Sequence, residues 1–105
     1  MNIAIKNLRK EKPNNELDIR VDRGCGSPLG NPFYMKNESE RDKSCDDYEK
    51  YFYNQVVDNP NFRAELDRLI NIYKKYGKLN LFCWCFPKRC HAETIQKFLG
   101  NEIDI

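Results

Sequence analysis

Apolar and polar residues alternate without a break over Leu17-Asp18-Ile19-Arg20-Val21-Asp22. This period of two puts Leu17, Ile19 and Val21 on one face, as in a half-exposed β-strand. The shorter run Ile3-Ala4-Ile5 predicts an earlier strand. The polar stretch 7–15, with Pro13 in it, predicts a turn folding the two into a hairpin. The period then changes. Tyr48, Tyr51, Phe52, Gln55 and Val56 recur at helical spacing and predict a helix from Ser44 or Asp46 to Val57. Asn59-Pro60 restarts the chain as N-cap and first helical residue. Phe62, Leu66, Leu69, Ile70 and Tyr73 mark the buried face of this second helix, and Gly77 caps its end. Leu79 to Cys85 is nearly all apolar and bounded by Gly77 and Pro87, which predicts a central strand covered on both faces. From Cys90 onward, His91, Ile95, Phe98 and Leu99 return to helical spacing, with Gly100 as the stop.

Two stretches escape both periods. Arg23 to Phe33 holds three glycines and two prolines in eleven residues, which predicts a rigid, shaped loop. Residues 36–47 are rich in Lys, Glu, Asp, Asn and Ser and read as a solvated, mobile connection. The order of elements predicts an α/β or α+β fold, with a short central sheet of about three strands and about three helices.

With 105 residues, positions 1–105 are expected to form one domain. Only 40% of residues are apolar, so the core is small, and the aromatic 12% supplies much of its area. The net charge of +2 argues against an obligate nucleic-acid binder, though a local basic patch stays open. No run is long enough to span a membrane, and the N-terminus has no apolar block like that of a signal peptide. The expected location is cytoplasmic. A reducing compartment and five cysteines at uneven spacing point away from a disulfide framework.

Chemistry concentrates in Cys83-Trp84-Cys85-Phe86-Pro87-Lys88-Arg89-Cys90-His91, which holds three of the five cysteines and the single histidine. Three readings stand. In the first, Cys83, Cys85, Cys90 and His91 bind zinc, although their spacing is unlike the usual ligand pairs. Cys25 or Cys45 would replace a misdirected ligand. In the second, a pocket forms at the start of the last helix. Its free amides and dipole, with Lys88 and Arg89, attract an anion. The same field lowers the pKa of Cys90, a candidate nucleophile, beside His91 as acid or base. Trp84 or Phe86 offers an aromatic face to a nucleobase or sugar. No third residue to orient the pair is identifiable. In the third, Cys83 and Cys85 are simply core.

The Gly/Pro loop lacks the Gly-Lys-Ser/Thr ending of a Walker loop and is no dinucleotide fingerprint. Gly26 and Gly30 would let its backbone approach a ligand. Arg23, Ser27 and Asn31 are its ligand-facing candidates, with Arg23 suited to phosphate or carboxylate. The structural alternative is a loop that packs Leu29 and Phe33 into the core.

Together, Gly24-Cys25-Gly26-Ser27-Pro28-Leu29-Gly30-Asn31-Pro32-Phe33 and Leu81-Phe82-Cys83-Trp84-Cys85-Phe86-Pro87-Lys88-Arg89-Cys90-His91 resemble a family of bacterial and phage proteins known as domain of unknown function 4326. Its members carry a Gly-Arg-Gly-Ser…Gly-Asn-Pro-Phe loop and a later Cys-x-Cys-x-Pro-x-x-Cys-His run. The resemblance covers roughly residues 17–99 and implies that both motifs serve one site in a bacterial or phage protein of the cytoplasm. Cys25 stands where the family usually has Arg, so an anion contact made there is either lost in this chain or supplied by Arg23 from two positions away.

The leading expectation is a pocket for a small anionic, nucleotide-like ligand. Arg23, Gly26, Ser27, Gly30 and Asn31 would form one wall, and Trp84, Lys88, Arg89, Cys90 and His91 the other. The alternative is a zinc-stabilised module contacting nucleic acid or a host protein. A third possibility is an inhibitor acting through its surface alone. A homodimer is also compatible with so small a core.

Overall fold

The computed structural model describes residues 2–103. It is an α/β fold built from β1 (Ile3–Asn7), β2 (Asp18–Arg20), α1 (Arg41–Asp58), α2 (Pro60–Tyr76), β3 (Leu79–Cys83) and α3 (Ala92–Ile103). Short 3-10 turns occupy Arg23–Cys25 and Glu38–Glu40. The sheet has the order β1-β3-β2, and both outer strands run parallel to β3.

The expected hairpin of the first two runs does not form. β1 and β2 each pair with β3 instead, with Ile5 and Ile19 both opposite Leu81. β3 takes the centre because it carries the densest apolar run: Leu79, Leu81, Phe82 and Cys83 are all buried. Strands of three to five residues need little return length, so residues 8–17 suffice to bring the chain back without a helix.

The helices lie on one face of the sheet, yet β3 is covered on both, as expected, because Phe82 on the other face is also buried. α2 and α3 pack on β3, and all three helices pack against one another, which requires a common side. Ile3, Ile19, Leu79, Leu81 and Cys83 face this layer and join one continuous core. The other face pairs Asp18 with Asn80, side chain to side chain at 2.8 Å. It also sets Phe82 between Lys6 and Arg20 in register.

Under the sheet the core is aromatic. Phe52 meets Phe62 at 5.3 Å and Phe98 at 5.4 Å between ring centres, both edge-on. Each such pair adds about 0.5–1.5 kcal/mol beyond its buried area.

α1 begins at Arg41, earlier than its apolar stripe indicates, so residues 41–47 are helix rather than a mobile connection. Its first turn is charged and gives no hydrophobic signal; only Ser44, Cys45, Tyr48 and Phe52 turn inward. α2 matches its sequence signals. The Asn59 side chain accepts from the Asn61 and Phe62 amides, Pro60 is the first helical residue, and Gly77 ends the helix at φ 75°. α3 runs through Gly100 to Ile103, so Gly100 is not its stop. Positive φ occurs only at Gly26 and Gly77 among the described glycines, and Gly100 is a small residue on the buried side of the helix.

The cap at α2 is testable. Asn59→Ala is expected to lower the unfolding free energy by about 1 kcal/mol, and Asn59→Gly by only a few tenths of that. Urea midpoints at unchanged denaturant slope would show it.

Candidate functional site

In a parallel sheet the loops that leave the carboxyl ends of the strands emerge on one edge. The Gly/Pro loop follows β2 and the Cys/His turn follows β3, so topology brings the two motifs together. The turn is held from the β1 side as well: Asn7 Nδ2 donates to the Phe86 carbonyl at 2.5 Å. A cis Phe86–Pro87 bond lies within it.

α1 fixes both loops. Tyr48 Oη donates to the Leu29 carbonyl at 2.7 Å, and Ser44 Oγ donates to the Phe33 carbonyl at 2.8 Å. Asn31 Nδ2 donates to Ser44 Oγ at 3.1 Å while Asn31 Oδ1 accepts from the Phe33 amide. On the other loop, Arg41 donates to the Arg89 carbonyl at 2.9 Å. Leu29 is fully buried, as the structural reading of the loop expects, but Phe33 stays at the surface, edge-on to Tyr51.

Between these walls lies a cavity of about 240 Å³. Arg23 and Asn31 border it from the Gly/Pro loop. Cys83, Trp84, Cys85, Arg89, Cys90 and His91 border it from the Cys/His turn. The other candidates sit elsewhere. Ser27 Oγ accepts from the Leu29 amide at 3.1 Å and shapes its own turn. Gly26 closes the 3-10 turn in a left-handed conformation. Gly30 is required by packing, since a Cβ there would come within 2.8 Å of Arg23 Cα. Lys88 reaches outward to Glu38 at 3.2 Å. Cys25 is exposed and its thiol donates to the Asp22 carbonyl at 3.2 Å, away from the cavity.

A broader groove of about 630 Å³ runs along Phe86, Pro87, Glu93 and Lys97. Cys45, Arg89 and Cys90 border both spaces, but the groove touches nothing of the Gly/Pro loop. The smaller cavity is the better site, because only there do both motifs meet.

Sequence reasoning missed several of its walls. Asp22 is 4% exposed and accepts two hydrogen bonds from Arg20, at 2.9 and 2.7 Å, and one from Trp84 Nε1 at 3.1 Å. Burial alone would raise its pKa. The bonds from Arg20 and Trp84 and the Arg20 charge outweigh burial and hold it at about 2. A charged residue closing an amphipathic strand was the available signal. Tyr34, Met35, Arg41 and Ser44 also border the cavity, as does Cys45, which the sequence offered only as a substitute zinc ligand. Nothing in their spacing marks them.

The local charges are largely committed. Arg41 forms a forked pair with Glu38 at 2.7 and 2.8 Å. Arg89 bonds Asp42 at 3.1 Å and Asp46 at 2.8 Å. Arg23 differs: it gives one donor to the Asn31 carbonyl at 2.5 Å, lies 3.7 Å from the Tyr34 ring centre, and pairs with no carboxylate among the described residues.

His91 precedes the first residue of α3 and is buried. Burial lowers its pKa despite the opposing Val21 carbonyl, so the ring is neutral at pH 7. Its Nε2 lies 2.7 Å from that carbonyl, which only accepts, so Nε2 carries the proton. Val21 is thus the orienting group that spacing does not reveal. Nδ1 is left as an acceptor, with no hydrogen bond to it among the described residues.

The thiols depart from expectation. Cys90 and Cys83 are buried with their sulfurs 3.2 Å apart. The contact with Cys83 and burial raise the Cys90 pKa, so the helix start does not make Cys90 a thiolate. Cys83 moves the other way, because the Cys90 thiol donates to it and the Cys85 and Phe86 amides point at it. The proposed zinc quartet does not converge: His91 Nε2 is occupied by Val21, and no group of three His, Cys, Asp or Glu residues among those described could hold a metal.

Asp22 makes the site's stability depend on pH. Its folded pKa lies below the ordinary 3.8, so its contribution is complete above that range and is lost as pH falls toward 2. The stability difference between the native protein and Asp22→Asn is expected to shrink by about 2 kcal/mol between about pH 5 and pH 2. Urea unfolding across that interval measures it, and a constant difference would contradict the assignment.

No helix among the described residues is long and apolar enough to cross a membrane. Among curated proteins and among solved structures, nothing matches the chain. A sequence family does, and its profile takes in the Gly/Pro loop and the Cys/His turn alike: over residues 5–101 the chain belongs to the family described as Domain of unknown function (DUF4326).

Proposed function

We propose that this protein, in a bacterial or phage cytoplasm, binds a small anionic, nucleotide-like ligand in the cavity between the Gly/Pro loop and the Cys/His turn. The observation that carries the reading is that residues of both motifs border one space. Arg23 is the anion-binding group. It is the one arginine on the cavity without a carboxylate partner among the described residues, and its fork suits a phosphate. Asp22 next to it does not cancel this charge, because Arg20 already neutralises that carboxylate.

Size and surface set the rest of the ligand. A volume of about 240 Å³ is below the usual range of about 300–1,000 Å³ for drug-sized ligands. It suits a single base or sugar rather than a dinucleotide. Tyr34 and Trp84 at its rim are 78% and 47% exposed, which leaves aromatic faces for stacking. His91 Nδ1 supplies an acceptor to the bound group's donors. Asn31 serves mainly to hold the wall, since both ends of its amide are engaged.

A thermal-shift series with nucleoside monophosphates, cyclic nucleotides and inorganic phosphate tests this. At least one mononucleotide is expected to raise Tm, with about 2.7 kcal/mol of stabilisation at a hundred times Kd. Arg23→Ala and Trp84→Ala are expected to weaken that affinity at least about tenfold, or about 1.4 kcal/mol. Lys88→Ala, which faces Glu38, should leave it unchanged. No shift with any mononucleotide at millimolar concentration, or equal shifts in Arg23→Ala, would overturn the reading.

A further inference from the structure

The anion site makes no use of the two thiols at the inner end of the cavity. Cys83 ends β3 and Cys90 precedes α3, and their sulfurs approach to 3.2 Å. That is contact distance, about 1 Å longer than a disulfide bond. Each alone would pass for an ordinary buried cysteine, a common core residue. Two further observations set the pair apart. Both residues border the cavity although they are only 1% and 4% exposed, so a small molecule in that space meets them while bulk reagents do not. Of the two, Cys83 is the member whose pKa is lowered, chiefly through its contact with the Cys90 thiol, which favours negative charge on that sulfur.

We propose that Cys83 and Cys90 are a peroxide-oxidisable dithiol that closes to a disulfide within the cavity. The oxidant is hydrogen peroxide or a comparably small hydroperoxide. The Cys83 thiolate attacks one peroxide oxygen, the O–O bond breaks, and the other oxygen leaves as water after taking a proton. Cys83 is then a sulfenic acid. The Cys90 sulfur attacks the Cys83 sulfur, the S–S bond forms, and the hydroxyl departs as a second water with the Cys90 proton. Two thiols lose two electrons and two protons, and one peroxide becomes two waters. The space of about 240 Å³ is roughly eight times the 30 Å³ share of one water, ample for peroxide but not for a tripeptide disulfide. Cys85, two positions past β3 and half-buried on the same cavity, is the competing thiol. Cys25, exposed and outside the cavity, is the internal reference.

The test uses the whole reduced protein and one equivalent of hydrogen peroxide. The reaction is stopped at intervals by unfolding and alkylation, followed by trypsin without reduction. Cleavage after Lys78, Lys88, Arg89 and Lys97 separates residues 79–88 from residues 90–97, so the new bond joins two peptides. The expected result is a joined pair, assigned to Cys83 and Cys90 by fragmentation, complete while Cys25 is still alkylated. Cys85→Ser should retain the link, and oxidised glutathione should form it at least tenfold more slowly than peroxide. The proposal is overturned if Cys25 is consumed first with Cys83 and Cys90 still alkylated, if Cys85 rather than Cys83 joins Cys90, or if oxidised glutathione is as fast as peroxide. The wild-type peptide map decides even if a variant does not fold.

Discussion

A loop that leaves a sheet carries peptide groups with no strand to pair with, and each one buried without a partner is costly. In this fold the first half of α1 meets that demand for both motif loops. Tyr48 takes the Leu29 carbonyl, Ser44 takes the Phe33 carbonyl, and Arg41 takes the Arg89 carbonyl. His91 closes the circuit by giving its Nε2 proton to the Val21 carbonyl at the end of the β2 run. The cavity between the loops is therefore a by-product of how their backbones are satisfied. Its width is set by side chains on one rigid helix, and that is the condition under which a small site keeps its shape without ligand.

The same helix decides which charges a ligand can use. A turn containing Lys88 and Arg89 ahead of a helix N-terminus looks like an anion site when read along the chain. In space, Asp42 and Asp46 of α1 and Glu38 just before it face that turn and take those cations. These partners are largely solvent-exposed, so their ion pairs contribute little stability. Their effect is to leave Arg23, on the opposite wall, as the unpaired guanidinium. Charge that is plentiful in sequence becomes scarce and localised in the fold, which favours recognition of one phosphate-sized group over general attraction to polyanions.

Much of this was legible in the chain. The caps of α2 at Asn59 and Gly77 are local chemistry, and local chemistry reads well from sequence. The central place of β3 followed from the density of its apolar run. That the two motifs lie on the same edge of the sheet and border one cavity followed from both succeeding strands. What failed was what depends on partners distant in sequence. Nothing in Ile3 to Asp22 says that each strand prefers β3 to the other, because a hairpin and a parallel pair bury the same alternate residues. The start of α1 was hidden because its first turn buries no large apolar side chain. Gly100 misled because glycine stops a helix only where positive φ or an exposed end is wanted, and there the backbone stays helical. Asp22 and Arg41 were invisible as site residues, since charged side chains on a strand end and in a polar stretch usually face solvent.

Burial gives the inner cavity a character unlike its rim. Water is largely excluded around His91, Cys83 and Cys90, so charge there is restricted: the imidazole is neutral and the Cys90 thiol is held protonated, which leaves Cys83, in contact with that thiol, as the one of the three that favours negative charge. Asp22, the one buried carboxylate among the described residues, stays charged because Arg20 and Trp84 supply three hydrogen bonds to it. Trp84 therefore has two roles that pull in different directions. Its indole N–H is committed to Asp22 while much of its ring stays open at the cavity mouth. A ligand stacking on that ring rests on a side chain already fixed by a hydrogen bond to a carboxylate, so little side-chain freedom is lost on binding. The order from rim to floor is then aromatic face, unpaired guanidinium, neutral acceptor, thiol pair. Such a gradient suits a ligand whose charge remains near solvent while its neutral part is drawn inward.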